Sequence, residues 1–154
     1  MNVDFVAAIK LFFANYANFK GRSTRAEYWW AMLFVFLLSL VLEFIGSNTL
    51  SVIVSLGLMI PNWAIATRRL HDIGKSGWWI VGFTVATWII CGVSFGSMIF
   101  AMFSGADLVS AVMNSATSIG VGSLLILAIS IWLLVWLVKP SGPCNQYGPN
   151  PYGE

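Results

Sequence analysis

The residues with chemical capability gather in two short polar stretches. One is Arg68-Arg69-Leu70-His71-Asp72-Ile73-Gly74-Lys75-Ser76-Gly77-Trp78-Trp79. The other is Gly21-Arg22-Ser23-Thr24-Arg25-Ala26-Glu27-Tyr28-Trp29-Trp30. Guanidinium and ammonium groups hold phosphate and other oxyanions, and arginine does so through a planar fork. Arg22, Arg25, Arg68, Arg69, His71 and Lys75 are therefore the candidate ligands for an anion or an anionic lipid headgroup. Glu27 and Asp72 are the candidate ion-pair partners, able to hold an arginine in place. The two readings are compatible: the same residues can set membrane topology, pair locally and bind.

Other chemistries fare worse. His71 and Asp72 are adjacent, and neighbours on a helix point about 100° apart, so they are not a ready-made catalytic dyad. No nucleophile accompanies them, and no catalytic residue is expected. A metal site needs more ligands than His71, Asp72 and Glu27 offer, so no metal is expected. No glycine-rich phosphate loop is present, and no cofactor is implied. Cys91 lies in an apolar run and Cys144 in a polar tail, a spacing that fits neither metal nor redox use and no disulfide.

The elements that must position these residues belong to a membrane protein. Of 154 residues, 58% are hydrophobic and only 9% charged, where a soluble domain carries about 25% charged residues. Mean hydropathy is +0.83. The formal net charge of +2 is small, and no nucleic-acid partner is expected. The length suits one helical bundle, a single membrane domain over residues 1–154. The first residues lack a basic leader pattern, so insertion is expected to be driven by the internal spans.

Residues 4–19 place Phe5, Ile9, Phe12, Tyr16 and Phe19 on one helical face. The segment is too short and polar to cross the bilayer core. It fits an amphipathic interfacial helix with that face in lipid, or a helix whose face packs on the bundle. Gly21 breaks it. Thr24 and Glu27 form a capping box for the next helix. The spans are expected at residues 28–45, 50–67, 78–103 and 119–138. Glu43, in the last turn of the first, reads as a water-facing interfacial residue, with a bundle-facing role as the alternative. Pro61 removes the hydrogen bond to the Gly57 carbonyl and kinks the second span. Asn62 is placed to bond the freed backbone or a neighbouring helix. The second helix continues to His71 or Asp72, with Gly74 in the C′ position. Ser76 caps the third. Gly92 and Gly96 form a small-residue pair expected to pack within the chain. Residues 104–118 read as a polar loop. Residues 139–154 form a turn-rich tail, disordered or folded back as a lid.

Charge sets the topology. Lys10, Lys20, Arg22 and Arg25 precede the first span, Arg68, Arg69 and Lys75 join the second to the third, and Lys139 follows the fourth. All eight basic residues thus fall on one side, which the positive-inside rule makes cytoplasmic, along with both termini.

The two polar stretches, followed by Asn145-Gln146-Tyr147-Gly148-Pro149-Asn150-Pro151, resemble one family over nearly the whole chain. It is the domain of unknown function 805 family, the YhaH-like small bacterial inner-membrane proteins. The middle motif is the specific one; the first and last support it. The resemblance implies an all-α, multi-spanning inner-membrane protein and carries no catalytic residue with it. It also favours an ordered tail. Cys144 stands where the family tail is usually more polar.

The expectation is a four-transmembrane-helix bundle with an N-terminal interfacial helix. Its partners would be membrane lipids, with a homo-oligomer or another membrane protein possible. Three functions are open: binding anionic lipid headgroups or another anion at the cytoplasmic face, transport by a small oligomer, and an accessory, scaffold or regulatory role.

Overall fold

The computed structural model of the chain describes residues 3–103 and 107–151. Among the described residues it has five helices: α1 (Phe5–Ala14), α2 (Arg25–Ile45), α3 (Asn48–Asp72), α4 (Trp78–Phe103) and α5 (Leu108–Val138). The last four are long and apolar enough to cross a membrane. The chain divides into two compact units. One holds the residues up to Ile80 and those from Trp136 onward; the other holds Val81–Val135.

Local chemistry explains the helix ends. Asp4 caps α1, its carboxylate accepting from the Ala7 N–H at 2.7 Å. Thr24 caps α2 by accepting from the Glu27 N–H at 3.1 Å. The return arm of the expected capping box is replaced: the Glu27 carboxylate turns to Arg68 and to the Ser23 hydroxyl. A buried guanidinium offers it a charged partner, which the backbone N–H of Thr24 does not. Gly46 ends α2 in the left-handed conformation, φ 69°. Ser47 caps α3 at the Leu50 N–H, 3.4 Å. At the far end of α3, Gly74 takes φ 73°. The Gly74 N–H bonds His71 O at 3.0 Å and the Lys75 N–H bonds Leu70 O at 2.9 Å. Together these make a Schellman cap with Gly74 at C′.

The first unit is built on α2 and α3 with α1 laid against them. Phe12 and Ala8 are fully buried. Phe5 meets Trp30 edge-on at 5.8 Å, and Phe12 and Phe13 both meet Phe34. Part of the aromatic face of α1 therefore packs on the bundle, while Val6, Phe13 and Phe19 stay exposed. Pro61 leaves the Gly57 carbonyl without its helical donor. The Tyr16 hydroxyl, just past α1, donates to that carbonyl. Asn62 does not serve it. Glu43 is exposed in the last turn of α2.

In the second unit α4 and α5 meet through small polar residues. Ser97 Oγ and Ser118 Oγ lie 2.7 Å apart, and Ser94 Oγ donates to Ser118 O at 3.3 Å. Gly122 sits against Ser94 and Ile90, where a Cβ would crowd the serine hydroxyl. Phe83 meets Trp132 edge-on at 5.8 Å. The Gly92–Gly96 pair does not form this contact: nothing lies within 4 Å of a Cβ built on either. Both are about 200° around the helix from Ser94, so the serine face excludes them. The loop expected over residues 104–118 is also corrected. Residues 104–106 lie outside the described residues, but 108–118 are helical. Asp107 accepts from the Ser110 N–H at 3.1 Å and the Ser110 hydroxyl at 2.7 Å. These bonds hold its carboxyl below the usual carboxylate range and start the helix eleven residues early. Ser and Thr there point to a loop by type, yet bond back to the backbone, as Ser110 does to Asp107 O and Thr117 to Met113 O.

Candidate functional site

The two arginine motifs meet at one end of the first unit. The Ser23 N–H bonds Arg68 O at 3.2 Å, which brings the segment before α2 onto the last turns of α3. The start of α4 and the end of α5 join them there: Trp79 meets Trp136 edge-on at 5.2 Å, and Lys75 Nζ lies 5.1 Å over the Trp136 ring. One end of each apolar helix is thus gathered around the Arg68–Asp72 segment.

Asp72 is the centre of the cluster. Its side chain is 0% exposed. Arg22 donates through Nε to Oδ1 at 3.0 Å, and its Nη2 forms an ion pair with the same oxygen at 2.9 Å. Arg69 pairs with Oδ2, which also accepts from the Ser141 hydroxyl. Arg69 further donates through Nε to Leu137 O at 3.0 Å and through Nη2 to Lys139 O. A cation on the terminal carbonyls of α5 is favoured by the helix dipole as well as by the hydrogen bonds. Arg22 spends its remaining donors on backbone carbonyls: Pro143 O at 2.9 Å, Gly148 O at 3.1 Å, Asp72 O at 3.0 Å and Gly142 O at 2.6 Å.

The tail is accordingly ordered over residues 140–151 and folded onto the end of α3. The Gly142 N–H bonds Asp72 O at 3.1 Å, and Asn145 Nδ2 donates to His71 O at 2.9 Å. Tyr147 stacks on His71, centroids 3.8 Å apart and planes 2° from parallel. His71 Nδ1 faces Gly21 O at 3.2 Å. Helix carbonyls lack partners over the last turn, and here distant segments supply them. Gly77 starts the next element against this surface; a Cβ there would overlap the Thr67 methyl and crowd His71 Nε2.

A second, smaller pair lies beside the first. Arg68 Nη1 bonds Glu27 Oε1 at 3.1 Å, and Ser23 Oγ bonds the same oxygen at 3.1 Å. Arg68 Nε and Nη2 are buried and have no hydrogen-bond partner. Three buried guanidinium groups thus face two buried carboxylates.

Of the residues expected to hold an anion, Arg22, Arg68, Arg69 and His71 come together, but Arg22 and Arg69 are committed to internal partners. Arg25 and Lys75 are exposed at the edge of the cluster. Ser141, Gly142, Asn145 and Tyr147 also belong to the cluster; Asn145 and Tyr147 lie in the tail motif, whereas nothing in the sequence marks Ser141 or Gly142. Among the described residues, no three side chains of His, Cys, Asp or Glu come together as metal ligands would. Away from the cluster, Ser51, Ser55, Met59, Asn62 and Trp63 line a shallow groove of about 500 Å³ along α3, and Asn62 Oδ1 is buried without a partner.

The chain is similar to proteins of Escherichia coli. The "Inner membrane protein YhaH" of Escherichia coli (strain K12) is 36% identical over 81 residues, covering 46% of this chain and 67% of that protein. The "Inner membrane protein YhaI" of the same strain is 35% identical over 89 residues, covering 53% of this chain and 75% of its own length. No solved structure matches the chain. The family described as "Protein of unknown function (DUF805)" matches residues 16–154, which takes in both arginine motifs and the tail. The chain is an integral inner-membrane protein and belongs to the DUF805 family.

Proposed function

We propose that this protein gathers anionic phospholipid at the cytoplasmic leaflet, without catalysis, and that its N- and C-termini face the cytoplasm. One observation carries the reading: the charges at the clustered helix ends are sorted by burial. Glu27 and Asp72 are enclosed and paired with arginines. Lys20, Arg25, Lys75 and Lys139, which adjoin the cluster in sequence, are exposed. With Glu27 and Asp72 consumed in pairs, neither is left to neutralise the exposed cations at this end. Each basic residue near an anionic leaflet is worth about 1 kcal/mol. Trp29, Trp30, Trp78 and Trp79, beside these cations, are exposed or nearly half-exposed and suit the headgroup level. The ligands in this reading are the exposed cations. Arg22 and Arg69 hold the platform that displays them.

The test is lipid enrichment around the reconstituted full chain. Vesicles of phosphatidylglycerol in phosphatidylcholine should show an excess of the anionic lipid next to the protein. Changing Lys20, Arg25, Lys75 and Lys139 together to glutamine should remove most of the excess with little effect on helicity. Raised salt should weaken it, because exposed charges are screened. An unchanged excess in the fourfold variant rejects the reading. Orientation is tested separately with Cys144, which is exposed. In a Cys91→Ala background, an impermeant maleimide added outside intact cells should not label it.

A further inference from the structure

The geometry points to a single oxyanion-binding site at the inner edge of Arg68, distinct from the exposed cations. Three observations converge on it. The first is the charge balance: among the described residues, the cluster encloses Arg22, Arg68 and Arg69 with the carboxylates of Glu27 and Asp72. A surplus charge out of water is costly unless an anion matches it. The second is which donors are unpaired. Arg68 meets Glu27 through Nη1 alone, at 3.1 Å, and its Nε and Nη2 have no partner. Those two N–H groups lie on the same edge of the guanidinium and run parallel, the arrangement that pairs with two oxygens of one phosphate or carboxylate. The third is an internal comparison. Arg22, in the same cluster, has this edge filled from within the chain: its Nε donates to Asp72 Oδ1 at 3.0 Å, and its Nη2, 2.9 Å from that oxygen, donates to the carbonyls of Asp72 and Gly142. One arginine shows this edge filled by a carboxylate and carbonyls; the other offers it with none of the described residues on it.

The rest of the surroundings fit an anion and argue against a neutral polar group. The Arg68 side chain is 5% exposed, so hydrogen bonds made there are little weakened by water. Glu27 already accepts from Ser23 Oγ and Arg68 and has its N–H on Thr24. It is held away from the free edge. The ligand chemistry is a phosphate bearing two accessible oxygens. A glycerophospholipid headgroup and free inorganic phosphate both present it, and Arg68, one turn before the end of α3, bonds Glu27 in the first turn of α2. Because the edge is enclosed, the side chains around it must part for the ligand to enter. Exchange is therefore slow, and the ligand is expected to survive extraction.

Native mass spectrometry of the full chain tests this, after gentle extraction from two preparations. One contains phosphatidylglycerol; the other contains phosphatidylcholine only, with inorganic phosphate added. The native chain should keep one phosphatidylglycerol, or in the second preparation one phosphate, through delipidation. A lipid adduct or a phosphate adduct identifies which source the site takes, and either supports it. Arg68→Lys keeps the charge and the Glu27 pair but removes the parallel edge. It should lower the retained fraction by about tenfold or more, the scale of one charge-assisted hydrogen bond. Glu27→Gln raises the positive surplus and should retain the anion at least as well as the native chain, which a purely structural role for Arg68 does not predict. The fourfold surface variant should keep the single tight anion while losing the diffuse enrichment, so the two readings fail separately. The site is overturned if the native chain retains neither adduct, or if Arg68→Lys retains as much as the native chain.

Discussion

Replacing Asp72 by asparagine removes a charge and almost no volume, which makes it the sharpest perturbation of the cluster. The native carboxylate takes Arg22 on one oxygen and Arg69 and Ser141 on the other. An amide offers one acceptor oxygen and turns two donors toward guanidinium N–H groups. At least one arginine is then left enclosed without a counter-charge. Arg22 and Arg69 are 2% and 0% exposed, so solvent cannot replace the lost acceptor. Breaking a buried pair by removing one partner costs about 3–5 kcal/mol. Since Asp72 serves two arginines, the upper half of that range is expected. The assay is unfolding in mixed micelles of a mild detergent and increasing dodecyl sulfate, followed by helicity. The loss should change little between low and high salt, because screening acts weakly on enclosed charges. A loss below about 1 kcal/mol, the value of exposed pairs, would refute the assignment of Asp72 as the enclosed centre of the cluster.

Three further changes probe other joints of the structure. Tyr16→Phe removes the donor to the Gly57 carbonyl that Pro61 leaves free, and should cost about 1–3 kcal/mol in the same unfolding assay; no loss would mean the carbonyl is served otherwise. Gly77→Ala should destabilise by about 1–3 kcal/mol through overlap with Thr67. Thr67→Ser, which deletes the methyl that clashes, should recover most of that loss, and a rescue that fails would place the strain elsewhere. Asn62→Leu removes a buried acceptor without a partner, so the detergent-solubilised chain should be unchanged or stabilised by about 1 kcal/mol; a clear loss of stability would mean that the Asn62 amide has a partner in the working assembly.

The sequence made the membrane class, the four apolar helices and the gathering of basic residues legible, because those follow from hydropathy and charge position alone. The end of α3 was legible for a local reason: only a residue tolerant of positive φ ends a helix as Gly74 does. Three features were not legible, each for want of spatial information. The free carbonyl of Gly57 is predictable from Pro61, but its partner Tyr16 lies 41 residues away. The α5 start was obscured because Ser110 and Thr117, loop-like in type, bond back into their own helix. At the cluster, sequence placed Arg22, Arg68 and Arg69 near the membrane and allowed either pairing or binding. Which arginine is satisfied depends on bond counts at single nitrogen atoms. Arg22 is filled by Asp72 and by carbonyls of Gly142, Pro143 and Gly148, and no local pattern announces a carbonyl ligand. The stretch Arg68–Trp79 is therefore chiefly a clasp for the helix ends and tail, with Arg68 the one enclosed arginine among the described residues that holds donors in reserve.

That clasp is the central claim, and amide hydrogen exchange at two backbone sites tests it most directly. The Gly142 N–H is bonded to Asp72 O and the Ser23 N–H to Arg68 O, although both residues sit in irregular segments that would otherwise exchange quickly. In the native chain both amides should be protected to nearly the same degree as the last turns of α3, and Arg22→Ala should release Gly142 while leaving mid-helix amides of α3 protected. Fast exchange at Gly142 and Ser23 in the native chain would contradict the account.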